Sequence, residues 1–162
     1  MFYKFYWLAV FIPLSACVST PEFDTSQVDR SLTPQSVAAE AEISRGRTAL
    51  WGGTILDTRN LKQSTQIEVL AYPLDSSNRP LLDSKPLGRF IIEHAGYLEA
   101  TTYVQGRNLT VLGVISGSQS GNVGEASYTY PVVSDTQLHL WSPSRERSSS
   151  SIHFGIGIGI GR

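Results

Sequence analysis

Cys17 is the residue of this sequence whose type and setting indicate a specific chemistry. It is the only cysteine among 162 residues, and it directly follows Leu14-Ser15-Ala16. A leucine and two small residues before a cysteine are typical of a lipobox. There the thiol takes a diacylglyceryl group, and cleavage frees an amine for a further acyl chain such as palmitate. The pattern predicts lipid attachment at Cys17; the alternative is a chance cysteine beside an ordinary secretory cleavage site.

Residues 1–16 have the features of a lipoprotein signal peptide. Lys4 supplies a sparse positive charge, and residues 5–14 form an apolar run that suits a signal core and is too short for a spanning helix. Val18 follows the cysteine, where an aspartate would favour retention in the inner membrane. We therefore expect export, anchoring in outer-membrane lipid through acylated Cys17, and a body at the periplasmic face.

The histidines and glycines form no catalytic or cofactor-binding pattern in the sequence. His94, His139 and His153 lie far apart, whereas a zinc site needs three or four converging ligands. Gly117 and Gly121 do not match the dinucleotide fingerprint, and no serine lies in the glycine pattern of a nucleophile elbow. We expect no catalytic residue, no metal, no cofactor and no enzyme activity. An envelope hydrolase with titratable residues in one pocket is the opposing hypothesis.

The charge balance argues against a strongly charged partner. The formal net charge is −1, and charged residues make up 17% of the chain, so no strong field is available to bind nucleic acid. Hydrophobic residues make up 41%, which is enough for the core of one domain in a chain of this length.

Four aromatic residues are candidates for a binding face: Trp51, Tyr72, Tyr128 and Tyr130. Small barrels often bind on one face, where aromatic rings can stack on a glycan or a peptide. Aromatic side chains in strands also fill cores. A ligand-binding module for an envelope glycan or peptide is therefore the alternative function.

The chain divides into four predicted parts. The signal peptide (1–16) precedes a lipidated N terminus and tether (17–32), a β-barrel domain (33–141) and a Ser/Gly-rich tail (142–162). The tether has the composition of a linker. In the tail, Phe154 or an isoleucine alternates with glycine over residues 154–161. This predicts a strand that adds to a partner, a segment that lies on the membrane or on another copy, or a flexible low-complexity end.

One short helix is predicted at the start of the barrel domain. Thr33 is a suitable N-cap and Pro34 suits the first helical position, so we expect a helix over Gln35–Glu42. From Arg47 onward the apolar period becomes two, which indicates strands.

The strands are predicted at Thr48–Leu56, Gln66–Tyr72, Gly88–Glu93, Leu109–Ser116, Asn122–Val133 and Gln137–Trp141. Gly52-Gly53 indicates a bulge or a sharp bend, and residues 117–121 indicate a hairpin loop. Residues 97–103 are either a turn of helix or a short edge strand. Five or six short strands and a glycine bend predict a mainly all-β fold, a small OB-like curled barrel, with a flat sandwich as the alternative.

Short motifs distributed over this region are Arg45-Gly46-Arg47, Trp51-Gly52-Gly53-Thr54-Ile55, Tyr72-Pro73-Leu74, Gly88-Arg89-Phe90, residues 109–117, and Gly124-Glu125 with residues 128–133. Together they resemble the Slp family, lipoproteins of the Gram-negative outer membrane named for a starvation-inducible member. The likeness runs from the lipobox to about Trp141. It implies Cys17 as the lipid site, and a structural or interaction role in envelope maintenance under starvation or in stationary phase. An envelope protein or glycan is the expected partner.

Overall fold

The computed structural model describes residues 21–143, which form two short helices and five strands. The helices are α1 (Pro34–Ala39) and α2 (Ala41–Ser44). The strands are β1 (Thr48–Asn60), β2 (Ser64–Tyr72), β3 (Gly88–Ala95), β4 (Asn108–Val123) and β5 (Ala126–Leu140). The predicted signal peptide, Cys17, His153 and the Ile/Gly alternation of the tail lie outside the described residues.

The five strands close into a barrel in the order β1-β2-β3-β5-β4, and β4 pairs back with β1. All neighbouring strands are antiparallel except β3 and β5, which share a short parallel ladder at residues 91–93 and 132–134. The prediction of a mainly β, OB-like curled barrel is confirmed. Closure of the sheet excludes the flat sandwich.

Apolar side chains that alternate along the strands fill the inside of the barrel. In β2, Ile67 and Val69 are fully buried while Gln66, Glu68 and Leu70 are partly exposed, because successive side chains point to opposite faces. The rings of Phe90 and Trp51 meet edge to face, with centroids 5.1 Å apart. We call the buried set the interior core: Val37, Ala49, Trp51, Ile55, Ile67, Val69, Ala71, Phe90, Ile92, Leu109, Val111, Ile115 and Val133.

The N-terminal helix begins where the sequence predicts but ends earlier. The Thr33 hydroxyl accepts a hydrogen bond from the Ser36 amide, and the Ser36 hydroxyl accepts one from the Thr33 amide, which is a capping box. The prediction of one helix over Gln35–Glu42 is wrong, because Glu40 leaves the helical conformation at φ −137°. Val37 is the fully buried residue of α1, whereas α2 makes its own contact with β4 and ends at the buried Ser44.

The hairpin of β4 and β5 is longer than the sequence predicts. The loop predicted at residues 117–121 is wrong, because β4 continues to Val123 and the turn lies at Gly124-Glu125. β5 is likewise one strand where two were predicted. Two register shifts, at Leu112/Gly113 and Ile115/Gly117, break the apolar alternation without ending the ladder.

The outer part of this hairpin folds over the outer wall of the barrel, and we call it the arm (residues 117–123 and 126–131). Gly121 has a packing role in the arm, since a Cβ there would lie 3.0 Å from the Tyr130 ring. A glycine run that resembles a turn therefore belongs to a paired strand.

The paired glycines of β1 lie in continuous register with both neighbouring strands, which excludes the bulge, one of the two alternatives predicted there. The register shift of β1 lies between Ile55 and Asp57. A Cβ at Gly53 would overlap the carbonyl of Leu70, so the glycine permits a close approach of two backbones. Residues 97–103 form no strand but contain a single helical turn, the first of the two predicted alternatives, in which the Thr102 and Tyr103 amides donate to the Glu99 carbonyl.

Residues 21–32, which belong to the predicted tether, pack on the outer wall of β1 and β4. Phe23 is buried against Leu50 and Leu112, and Val28 bridges to the first residue of β1. The linker-like composition did not indicate this packing.

Candidate functional site

Trp51 and Tyr72, two of the four candidate aromatic residues, lie at the barrel wall beside the N-terminal segment. The Trp51 side chain belongs to the interior core and is 5% exposed. Its Nε1–H donates a hydrogen bond to the Leu32 carbonyl at 2.9 Å. Tyr72 is half-buried, and both residues border an apolar groove with Leu74 and Leu87. Trp51 therefore holds the N-terminal segment against the barrel.

Tyr128 and Tyr130 lie together on the arm, away from Trp51. Their ring centroids are 4.7 Å apart, and they pack over Ile91 on the outer wall of β3. The Tyr128 hydroxyl accepts a hydrogen bond from the Arg89 amide at 2.9 Å, and the Tyr130 hydroxyl donates one to the Asn122 carbonyl at 3.1 Å. The structure thus divides the four aromatic residues between two places.

A polar groove runs between the arm and the outer wall of β1 and β2. Its volume is about 120 Å³, and we call it the arm groove. Ile91 and Tyr130 contribute buried apolar surface to it. The polar side chains that line it are Asp57, Arg59, Gln66, Glu68, Gln119 and Asn122.

Charges in and beside the arm groove are balanced. Asp57 pairs with Arg59 at 2.6 Å, and Glu68 pairs with Arg89 at 2.9 Å. The side-chain Nε2 of Gln66 donates a hydrogen bond to the side-chain Oε1 of Gln119 at 3.3 Å, which connects β2 to the arm. Carboxylates, amides and a guanidinium at one surface offer donors and acceptors to an uncharged polar ligand. Among the residues that line the groove, none is a serine, cysteine or histidine.

Tyr130 is a hydrogen-bond donor at the edge of this groove. Burial raises the pKa of the Tyr130 phenol, and the carboxylate of Glu68 raises it further. The phenol therefore stays protonated at neutral pH and keeps its bond to the arm backbone. Tyr130 fixes the arm in addition to shaping the groove.

The two histidines within the described residues, His94 and His139, contact different partners. His94 Nδ1 lies 2.7 Å from Asp135 Oδ2, which joins β3 to β5. His139 packs edge to face on Trp141 with centroids 4.5 Å apart, and burial lowers its pKa. Across residues 21–143, no group of three or more His, Cys, Asp or Glu side chains is placed to hold a metal ion. Nor does this part of the chain contain a helix long and apolar enough to cross a membrane.

The sequence did not identify the polar side chains of the arm groove. Gln66 and Glu68 alternate with the buried Ile67 and Val69 in β2, so their outward face could have been predicted. Asp57 and Arg59 could not, because they lie two and four residues after the buried Ile55 and face outward only through the register shift between Ile55 and Asp57. Gln119 could not, because it falls in the segment predicted as a loop.

A family model described as the outer membrane lipoprotein Slp family matches residues 14–157. The chain belongs to the Slp family. The match includes the lipobox residues and the whole barrel, and it confirms the resemblance inferred from the short motifs. This Slp-family protein is an outer-membrane lipoprotein.

Three relatives are similar over most of the chain. An uncharacterized protein of Haemophilus influenzae is 30% identical over 145 residues, covering 86% of this chain and 76% of that protein. The uncharacterized lipoprotein YeaY of Escherichia coli is 30% identical over 79% of this chain and 66% of its own length. The outer membrane protein Slp of Escherichia coli is 28% identical over 130 residues, which cover 79% of this chain and 69% of that protein. No solved structure matches the chain.

Proposed function

We propose that acyl chains on Cys17 anchor this Slp-family protein at the periplasmic face of the outer membrane. The observation that carries the proposal is the lipobox Leu14-Ser15-Ala16-Cys17, which lies inside the matched region. Each buried methylene contributes about 0.8 kcal/mol, so one chain binds reversibly and several hold firmly.

The barrel acts as a non-enzymatic interaction or structural module in envelope maintenance under starvation or in stationary phase. Two observations support a module of this kind. Apolar side chains occupy the interior of the barrel, and the two carboxylates that line the arm groove, Asp57 and Glu68, are each paired with an arginine. The expected partner is an envelope protein or glycan.

Membrane fractionation tests the anchor. The native chain is expected in the outer-membrane fraction, and Cys17→Ser is expected to leave it, because the variant lacks the thiol that carries the lipid. Ser15→Thr, which keeps the cysteine, is the control. Retention of Cys17→Ser in the outer membrane would contradict the anchor.

Protease treatment of intact cells tests the periplasmic orientation, with the exposed residues of the β1–β2 turn as cleavage sites. The barrel is expected to survive in intact cells and to be cleaved after the outer membrane is permeabilised. Cleavage in intact cells would place the barrel on the cell surface. Crosslinking in starved cells then identifies the partner, and recovery of no envelope component counts against an interaction role.

A ligand-binding function at the arm groove is the second candidate, because Tyr130 and six polar side chains converge there. Gln66→Ala and Gln119→Ala remove polar groups at the groove and leave the interior core intact. Each is expected to weaken binding of a soluble peptidoglycan fragment measured by calorimetry. Gln63→Ala, at an exposed position in the β1–β2 turn, is the matched control. Equal affinities for all variants would exclude the groove as the site.

A further inference from the structure

The loop between β2 and β3, residues 73–87, exposes two adjacent leucines. Leu81 and Leu82 are 43% and 44% exposed. They belong to a tight turn that the Ser84 amide closes on the Leu81 carbonyl at 3.0 Å. Two neighbouring leucines held out on a turn present apolar surface that is more stable in lipid than in water.

This loop lies beside the N-terminal segment. Leu74 packs on the apolar cluster around Phe23, and a bridge joins Leu74 to Pro80, directly before the two leucines. Pro21 and residues 76–78 line the same surface depression. The chain that leads to Cys17 therefore leaves the barrel next to the loop.

The distance from the anchor to this part of the barrel is short. Pro21 is four residues after Cys17, and four residues cannot span more than about 14 Å. We propose that Leu81 and Leu82 insert into the phospholipid leaflet beside the anchor, an inference that rests on the proposed acylation of Cys17. A lipid chain alone would let the barrel rotate, whereas a second contact fixes its orientation.

The opposite end of β2 gives a matched comparison. Leu61 is 51% exposed in the β1–β2 turn, and Tyr97 nearby is 69% exposed. The nine residues of β2 place this turn about 26 Å from the loop, at about 3.3 Å per residue. With the loop in the membrane, the turn at Leu61 and the adjacent arm groove would face the aqueous side.

A single fluorescent label tests the insertion. The chain has no cysteine besides Cys17, so Leu82→Cys in the acylated full-length protein provides one free thiol for an environment-sensitive dye. The matched control is Leu61→Cys. Both are reconstituted into vesicles of phosphatidylethanolamine and phosphatidylglycerol. We expect the Leu82→Cys label to emit at shorter wavelength and to lose quenching by iodide, while the Leu61→Cys label stays accessible to iodide.

Flotation of the same vesicles separates failure of the insertion from failure of the anchor. If the protein floats and both labels are quenched alike, the insertion is wrong and the anchor stands. If the protein does not float, both are wrong. A shift that appears only at high protein density would assign the leucines to contact with a second copy, and would overturn the membrane contact.

Discussion

The interior core and the arm both bury apolar side chains, but they differ in how completely they enclose them. The interior core is enclosed by all five strands and α1, and most of its members are fully buried. Tyr130 of the arm packs with Ile91 and Val132 from one side, and each of the three remains 4–8% exposed. A two-stranded hairpin is marginally stable by itself, so the arm depends on these contacts with the barrel wall.

Because of this difference, we expect the interior core to determine the stability of the whole fold and the arm to determine the shape of the arm groove. Loss of a core contact should destabilise the whole barrel, because every strand contributes to that cluster. Loss of an arm contact should instead favour local opening, since proteins open in parts that have few buried contacts. The arm groove exists only while the arm is closed on β2 and β3.

Phe90→Ala should have the largest effect, because it removes a fully buried ring from the interior core. We expect a loss of about 4 kcal/mol in the free energy of unfolding, as for other buried aromatic truncations. Urea denaturation of the Cys17→Ser form measures it. Tyr97→Ala, at a position 69% exposed, is the control and should cost less than about 0.5 kcal/mol. Equal costs for the two variants would contradict the position of Phe90 in the core.

Gly53→Ala and Gly121→Ala compare the barrel wall with the arm through the same chemical change. The new methyl at Gly53 overlaps the backbone carbonyl of Leu70, which must move, so we expect a loss of about 3 kcal/mol. The methyl at Gly121 meets only the edge of the Tyr130 ring, and we expect about 1 kcal/mol. Denaturation midpoints of both variants measure the difference. A larger cost at Gly121 would reverse the comparison.

Tyr130→Ala tests whether the arm opens separately from the barrel. We expect about 2 kcal/mol of lost stability, with faster amide hydrogen exchange confined to the arm strands. Amides of β1 and β2 should keep their protection. Uniform loss of protection across the barrel would show that the arm and the interior core form one cooperative unit.

Tyr130→Phe should change the pH dependence of stability by a smaller amount. Burial raises the pKa of the Tyr130 phenol above its ordinary value of 10.0, so folding favours the protonated form. This contribution is complete below pH 10 and is lost as the pH rises through the folded pKa. Urea midpoints from pH 8 to 11 should therefore fall more steeply for the native chain than for Tyr130→Phe. Parallel curves would indicate that the phenol is not buried in solution.

Strands with a clean period of two could be predicted from the sequence. Ile67 and Val69, like Phe90 and Ile92, are buried as the alternation indicates. The prediction was wrong where backbone packing decides the structure. The glycines of residues 117–121 resemble a turn, yet they lie in a strand, where Gly117 is close to the Arg45 guanidinium and Gly121 to the Tyr130 ring. The predicted helix is interrupted at Glu40, between α1, which packs on β3 and β5, and α2, which contacts β4.

The arm groove could be predicted only in part. The outward side chains of Gln66 and Glu68 follow from alternation in β2, whereas Asp57 faces the groove only because of the register shift in β1. The other wall of the groove depends on a long-range contact, since the arm has to cross the outside of β2, and local patterns do not encode that crossing. For the same reason the sequence could not predict that Trp51 lies in the interior core and Tyr130 on the arm, although both lie in strands.

The intact mass of the mature protein, purified from its host's outer membrane, tests the central claim most directly. We expect a chain that begins at Cys17 and exceeds the mass of the unmodified polypeptide by a diacylglyceryl group and an amide-linked acyl chain. A mass equal to that of the unmodified residues 17–162 would contradict the lipid anchor and, with it, the proposed insertion of Leu81 and Leu82.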